Sequence, residues 1–191
     1  LKHFANFLNL KNKMTDKILI VDDETSILAS IKDILEDEEF TVKTAESGEK
    51  AMQILRKVDG NDMQAALVDI WMPDMDGLQL LDWLQKNVPK LPVIMMSGHG
   101  SIETAVKATK KGAYDFIEKP LSLEKILITL KHALKESALE KENEETKNQL
   151  FWMKKELSTL STAQELMQTK LKMQADRLGQ KKGTFKANEV N

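Results

Sequence analysis

AALVDIWMPDMDG, residues 65–77, joins a strand-length apolar run to a polar loop, and the junction falls on Asp69. A short, unbroken apolar run closed by a loop of Pro, Asp and Gly has the pattern of a strand buried on both faces of a parallel sheet. The same pattern recurs to either side. KILIV at 17–21 runs into Asp22 and Asp23, PVIMM at 92–96 into Ser97, and YDFIE at 114–118 into Lys119 and Pro120, while FTVKTA at 40–45 supplies one more strand.

Helical patterns fill the intervals. Thr25 to Asp37 carries Ile27, Leu28, Ile31, Ile34 and Leu35 on one stripe, with Thr25 or Ser26 available as its cap. A second helix follows Ser47-Gly48 through Ala51, Ile54 and Leu55, and a third carries Leu78, Leu81 and Leu84. A fourth, IETAVKATKKG, ends at Gly112, a residue suited to closing a helix. The last begins near Ser122 as its N-cap and turns Leu123, Ile126, Leu127, Leu130 and Leu134 inward.

Five strands alternating with five helices predict an α/β fold, a flavodoxin-like doubly wound parallel sheet of order 2-1-3-4-5. Ligands bind such sheets beyond the carboxyl ends of the strands, at the point where strand order reverses. Asp22, Asp23 and Asp69 fall there, with Ser97 and Lys119 at neighbouring strand ends.

The length of 191 residues divides into four segments: an N-terminal extension at 1–15, the α/β domain at 16–135, a helical linker or coiled coil at 136–178 and a disordered tail at 179–191. Residues before Met14 read as an upstream extension or floppy arm, or alternatively as a short amphipathic helix meeting a partner through Phe4, Phe7 and Leu8. In the linker, Leu150, Met153, Leu157, Leu160, Met167, Leu171 and Leu178 recur at a and d spacing, with Gln164 and Gln174 in the same register. The register of Leu127, Leu130 and Leu134 does not run into it in phase, which predicts a stutter or break at 137–149.

A net charge of −2 offers no electrostatic footprint of a dedicated nucleic-acid binder. The absence of cysteine removes disulfide and thiol chemistry and fits a reducing cytoplasm. No run approaches the roughly 18 apolar residues of a membrane span.

Clustered carboxylates raise each other's cost of ionisation unless a cation lies among them, and hard oxygen donors favour Mg²⁺. A carboxylate beside such a metal can attack phosphorus to form an acyl phosphate, with a lysine and a hydroxyl supporting the phosphoryl oxygens. A calcium loop at Asp74-x-Asp76-Gly77 fails on spacing, because it would need acceptors at Met72 and Trp83. Asp74 and Asp76 are then loop and cap residues, with Gly77 allowing a positive φ.

At ILIVDDE (18–24), LVDIWMPDMDGLQLL (67–81), PVIMMSGHG (92–100) and AYDFIEKP (113–120) the chain resembles the response-regulator receiver family of two-component signalling. The resemblance implies that Asp69 is the phosphoacceptor and that Mg²⁺ is held by Asp22, Asp23, Asp69 and the backbone carbonyl of Trp71. It makes Ser97 the switch hydroxyl, Phe116 the switch aromatic and Lys119 the phosphate-binding lysine, with a cis Lys119-Pro120 bond. DIWMPDMDG, SGHGSIETAV and GAYDFIEKP resemble receivers of the NtrC class, above all its NtrX-like branch, whose members drive sigma-54-dependent transcription.

The resemblance implies a sensor histidine kinase as partner, a homodimer, and DNA contact only through effector domains outside this sequence. No G-x-x-x-x-G-K-[ST] loop follows residue 135, so ATP hydrolysis is not expected. The reading is a phosphoacceptor switch with at most slow autodephosphorylation rather than an enzyme. Alternatives are a truncated remnant of a sigma-54 activator, a degenerate receiver acting as scaffold, and an aspartyl-phosphate phosphatase. The phosphatase would want an acid at position 71, which is Trp. Trp71 and His99 are expected to gate water at the rim.

Overall fold

Each apolar run forms its strand, and each strand alternates its side chains between two helix-covered faces. In a computed structural model that describes residues 16–57, 62–98 and 102–186, with α5 side chains described only to 175, the strands are β1 (Lys17–Val21), β2 (Thr41–Ala45), β3 (Ala65–Asp69), β4 (Val93–Ser97) and β5 (Asp115–Glu118). They pair in parallel in the order β2-β1-β3-β4-β5, as the sequence predicts. The helices are α1 (Thr25–Asp37), α2 (Gly48–Lys57), α3 (Gly77–Asn87), α4 (Ile102–Lys110) and α5 (Leu123–Lys186).

The strand period of two divides the core. Leu19, Val21, Ala66, Val68 and Met95 face α2, α3 and α4, where Ala51, Leu55, Leu80, Leu84 and Ala108 close over them. Ile18, Ile20, Leu67, Ile94 and Met96 face the other way, against Leu28, Ile31 and Leu35 of α1 and Ile126, Leu130 and Ala133 of α5. β3 and β4 are buried along their whole length, which is why they read as unbroken apolar runs.

Several local expectations need correction. Neither Thr25 nor Ser26 caps α1: the N-cap is Glu24, with no side-chain cap bond, and Glu24 N–H instead donates to Asp22 Oδ1 at 3.0 Å. Leu123 is not turned inward but stands 47% exposed at the start of α5. Asp76 does cap α3, in a reciprocal capping box with Gln79. Gly77 is required for a different reason from the positive φ expected of it. That conformation belongs to Asp74 (φ 65°), whereas a Cβ on Gly77 would stand 2.1 Å from the Asp69 carbonyl oxygen.

Residues 137–149 contain no break. They lie within the single helix Leu123–Lys186, since Ala, Leu, Glu and Lys there favour helix and neither Gly nor Pro interrupts it. The phase change is therefore a stutter within continuous helix. Helix also continues through residues 179–186, where a disordered tail was the expectation. The readings of residues 1–15 and of His99 fall outside the described residues. The chain divides into two compact units, one ending at Leu139 and one beginning at Glu140. Among the described residues no helix is long and apolar enough to cross a membrane.

Gly77→Ala should lower the free energy of unfolding by about 2 kcal/mol or more. The clash is with backbone that cannot rotate away, and urea denaturation at unchanged m-value would measure the loss.

Candidate functional site

Register sets the site. Val21 pairs with Val68, Asp69 with Met96 and Ser97 with Glu118, so the residues at or just beyond the carboxyl ends of β1, β3, β4 and β5 share one edge of the sheet. Because β1 and β3 are neighbours, Asp22 and Asp69 stand side by side. Both are buried.

Two buried carboxylates at adjacent strand ends repel each other and lose their hydration, so a positive group is needed between them. Lys119 supplies it. Its Nζ lies 2.8 Å from Asp22 Oδ2 and 2.9 Å from Asp69 Oδ1, and its stem is itself largely buried. The lysine is anchored through its backbone, whose N–H donates to the Ser97 carbonyl at 2.8 Å, and the Lys119-Pro120 bond is cis as expected.

The two oxygens of Asp69 differ. Oδ2 accepts the backbone N–H of Trp71 at 2.9 Å. Oδ1 is paired with the Lys119 ammonium at 2.9 Å. Burial pushes the Asp69 carboxyl above its ordinary value against the lowering effect of Lys119, with the Asp22 charge adding to the rise. Burial pulls the Lys119 ammonium down, but its bonds to Asp22 and Asp69 outweigh that and leave it raised. The lysine stays charged.

Trp71 is 58% exposed and lies across the rim. Its indole N–H donates to Ser97 Oγ at 3.1 Å, so the residue after Ile70 fastens the end of β3 to the end of β4. No sequence pattern announces this bond between residues 26 positions apart. Once β3 and β4 are known to be neighbours, however, residues 71 and 97 are expected at the same edge.

Of the sequence-predicted site residues, the structure brings together Asp22, Asp69, Ser97, Lys119 and Trp71. Asp23 is not drawn into the cluster: it is exposed beside Asp22, and among the described residues no three His, Cys, Asp or Glu side chains group as a metal cage. Phe116, partly buried, packs against the same core layer as Met95 and Val68.

Residues 18–131 match the response regulator receiver domain family. The chain belongs to that family. It is 44% identical over 136 residues to a putative response regulator NtrX-like from Rickettsia bellii, a match covering 70% of this chain and 28% of that protein. The crystal structure of the receiver domain of NtrX from Brucella abortus superimposes with a TM-score of 0.58 at 42% identity, covering 62% of this chain and 98% of that one. A solution structure of the beryllofluoride-activated NtrC4 receiver domain dimer gives 0.58 at 44% identity, covering 63% and 98%. The chain thus carries the receiver of an NtrX- or NtrC-like two-component response regulator and spans little more than a quarter of the length of the curated relative.

The raised Asp69 pKa has a stability consequence. The folded state favours the protonated acid, so this contribution is complete below the unfolded carboxyl range and is lost as pH rises through the raised value. In EDTA, Asp69→Asn should therefore gain thermal stability over the native receiver as pH goes from about 4 to about 7. Lys119 keeps Asp22 in the variant, and a gap in Tm that stays flat across that range would contradict the burial cost.

Proposed function

We propose that this receiver is a phosphoacceptor switch in which a sensor histidine kinase transfers a phosphoryl group to Asp69. The observation carrying the proposal is Oδ1 of Asp69, a buried carboxylate oxygen paired with the Lys119 ammonium at 2.9 Å while Oδ2 accepts the Trp71 backbone N–H. The Lys119 charge favours the ionised carboxylate, the form that attacks phosphorus. The carboxylate oxygen attacks phosphorus, the P–N bond of a phosphohistidine breaks, and the departing imidazole nitrogen takes a proton from solvent. Lys119 meets the charge gathered on the phosphoryl oxygens, and Ser97 turns its hydroxyl proton toward one of them.

The donor set fits Mg²⁺. Mg²⁺ keeps several waters and needs only one or two carboxylates with phosphate oxygens, so the absence of a three-carboxylate cage does not count against it. Asp22, Asp69 and, after a turn of its exposed side chain, Asp23 would hold it, with the Trp71 carbonyl as a further oxygen. When bound, the ion neutralises charge on the phosphoryl oxygens during transfer.

The switch is read on the surface of α4, β5 and α5. Val106 of α4 and Ile128 of α5 are close to half exposed, and Ile102 is 86% exposed, so an apolar surface awaits a partner there. Movement of Ser97 toward the phosphoryl group, with Phe116 following into the space released, biases that surface between two arrangements. The output is a change in self-association within a cytoplasmic transcription regulator. The NtrC4 relative, whose activated receiver is a dimer, supports the reading.

Incubation with Mg²⁺ and a small phosphodonor separates this reading from its competitors. Stable label on the native chain and none on Asp69→Asn is the expected result, continuous turnover would make the protein a phosphatase, and no label would leave a scaffold. The phosphatase has little support, because position 71 offers an indole committed to Ser97 where an acid would be needed.

Trp71 sets the lifetime of the label by covering the rim. Trp71→Ala should lose its phosphoryl group several-fold faster than the native chain. Trp71→Phe, which keeps an aromatic ring but not the bond to Ser97, should stay near the native rate. Label half-lives after removal of the donor measure both.

A further inference from the structure

Trp71 grips the site twice. Its backbone N–H donates to Asp69 Oδ2 at 2.9 Å, and its indole N–H donates to Ser97 Oγ at 3.1 Å. The residue whose main chain is fixed on the acceptor carboxylate therefore holds, with its side chain, the hydroxyl expected to answer phosphorylation. The two ends of that side-chain bond differ in setting. Ser97 is fully buried, whereas Trp71 is exposed, so water competes for the indole and not for the serine.

We propose that the Trp71 indole is a latch that holds Ser97 in its resting position, and that Ser97 must leave it to reach a phosphoryl group on Asp69. The proposal rests on the phosphoacceptor reading above. In that reading the phosphoryl group is carried by Oδ1, on the side of the carboxylate that faces Lys119, while the Trp71 main chain is fixed on the Oδ2 side. The serine is called away from the side where the indole is anchored.

The relative strengths of the bonds give the latch its direction. An indole nitrogen can only donate, so the bond to Ser97 joins two neutral groups, and an exposed donor exchanges such a partner for water at small cost. A bond from the Ser97 hydroxyl to a phosphoryl oxygen is charge-assisted and about twice as strong. Without a phosphoryl group the indole bond prevails. With one, the stronger bond draws the serine off and the indole turns to water. Trp71 thus biases the resting equilibrium against the switched arrangement, and it does so as a positioning residue acting through Ser97.

The chain has three tryptophans, and the other two lie elsewhere, Trp83 under the Arg56 guanidinium at 5.6 Å and Trp152 under Lys155 Nζ at 5.0 Å. The indole N–H resonance of Trp71 is therefore assigned by its loss in Trp71→Phe. In the full-length, unphosphorylated chain, Ser97→Ala should speed hydrogen exchange of that N–H. Beryllofluoride with Mg²⁺ then stands in for the phosphoryl group, titrated into the native chain, Trp71→Phe, Ser97→Ala and the double variant. Trp71→Phe should take it up about fivefold more tightly than the native chain, the worth of one neutral hydrogen bond that no longer has to break. In the Ser97→Ala background the same substitution should change nothing.

A tie that merely joins two strand ends would alter thermal stability and leave this affinity where it is. Equal affinity of the native chain and Trp71→Phe would overturn the latch, as would an exchange rate that Ser97→Ala leaves unchanged. Weaker uptake by Trp71→Phe would overturn it in favour of an indole that binds the phosphoryl group itself, and an equal gain with and without the Ser97 hydroxyl would show that the ring acts by another route. No uptake by the native chain would overturn the phosphoacceptor reading, and the latch with it.

Discussion

The ion pair that Lys119 makes with Asp22 and Asp69 is the constraint on which the site is built. Parallel strands β1 and β3 end at the same level, and that geometry forces two carboxylates into one desolvated corner. Such a corner cannot stay ionised alone, and the cost of a buried, unpaired charge would exceed what one packed strand contributes. The lysine that relieves it directly follows β5, two strands beyond β3, and reaches back across the end of β4. The order β2-β1-β3-β4-β5 therefore matters to the chemistry as much as to the packing. The ladder of burial from Ile18 to Ile117 holds that spacing rigidly, so a long, flexible side chain can be aimed within hydrogen-bonding distance of both acids.

In the proposed switch, the same arrangement is what phosphorylation would perturb. Lys119 neutralises two carboxylates in the resting chain, and a phosphoryl group on Asp69 would add charge to the side it faces. The ammonium is then held more strongly toward Asp69 than toward Asp22. Ser97 lies on the same rim with an indole N–H already on its hydroxyl oxygen. The indole N–H bond at 3.1 Å fixes the position of that hydroxyl oxygen. The Lys119 backbone N–H bond to the Ser97 carbonyl ties the ends of β4 and β5 together at this edge.

Much of this was legible in the residues because buried parallel strands write themselves as unbroken apolar runs, and the polar residues that end them must face the edge of the sheet. Strand order, all five helices and the gathering of Asp22, Asp69, Ser97 and Lys119 follow from that regularity. What escaped depends on geometry that spacing does not encode. Asp22 and Asp23 are chemically identical neighbours, yet one is buried against Lys119 and the other is exposed, because successive residues leaving a strand point in opposite directions. Gly77 looked like a turn glycine, but it is there because the loop returns onto the Asp69 carbonyl, a contact set by tertiary closure. Leu123 fits the inward stripe by period but lies in the first turn, before α5 reaches the sheet.

The tail illustrates a different limit. Its heptads are readable, but a heptad does not reveal whether a change of phase breaks the helix. Local propensity settles that question: residues 137–149 lack any helix breaker, so the cost of interrupting hydrogen bonds exceeds the gain from realigning an apolar seam. The helix stays whole and the apolar stripe rotates around it. The first stripe packs against the β-sheet through Ile126, Leu130 and Ala133, while the stripe that begins at Leu150 is exposed, so the change of phase separates a buried seam from an unburied one.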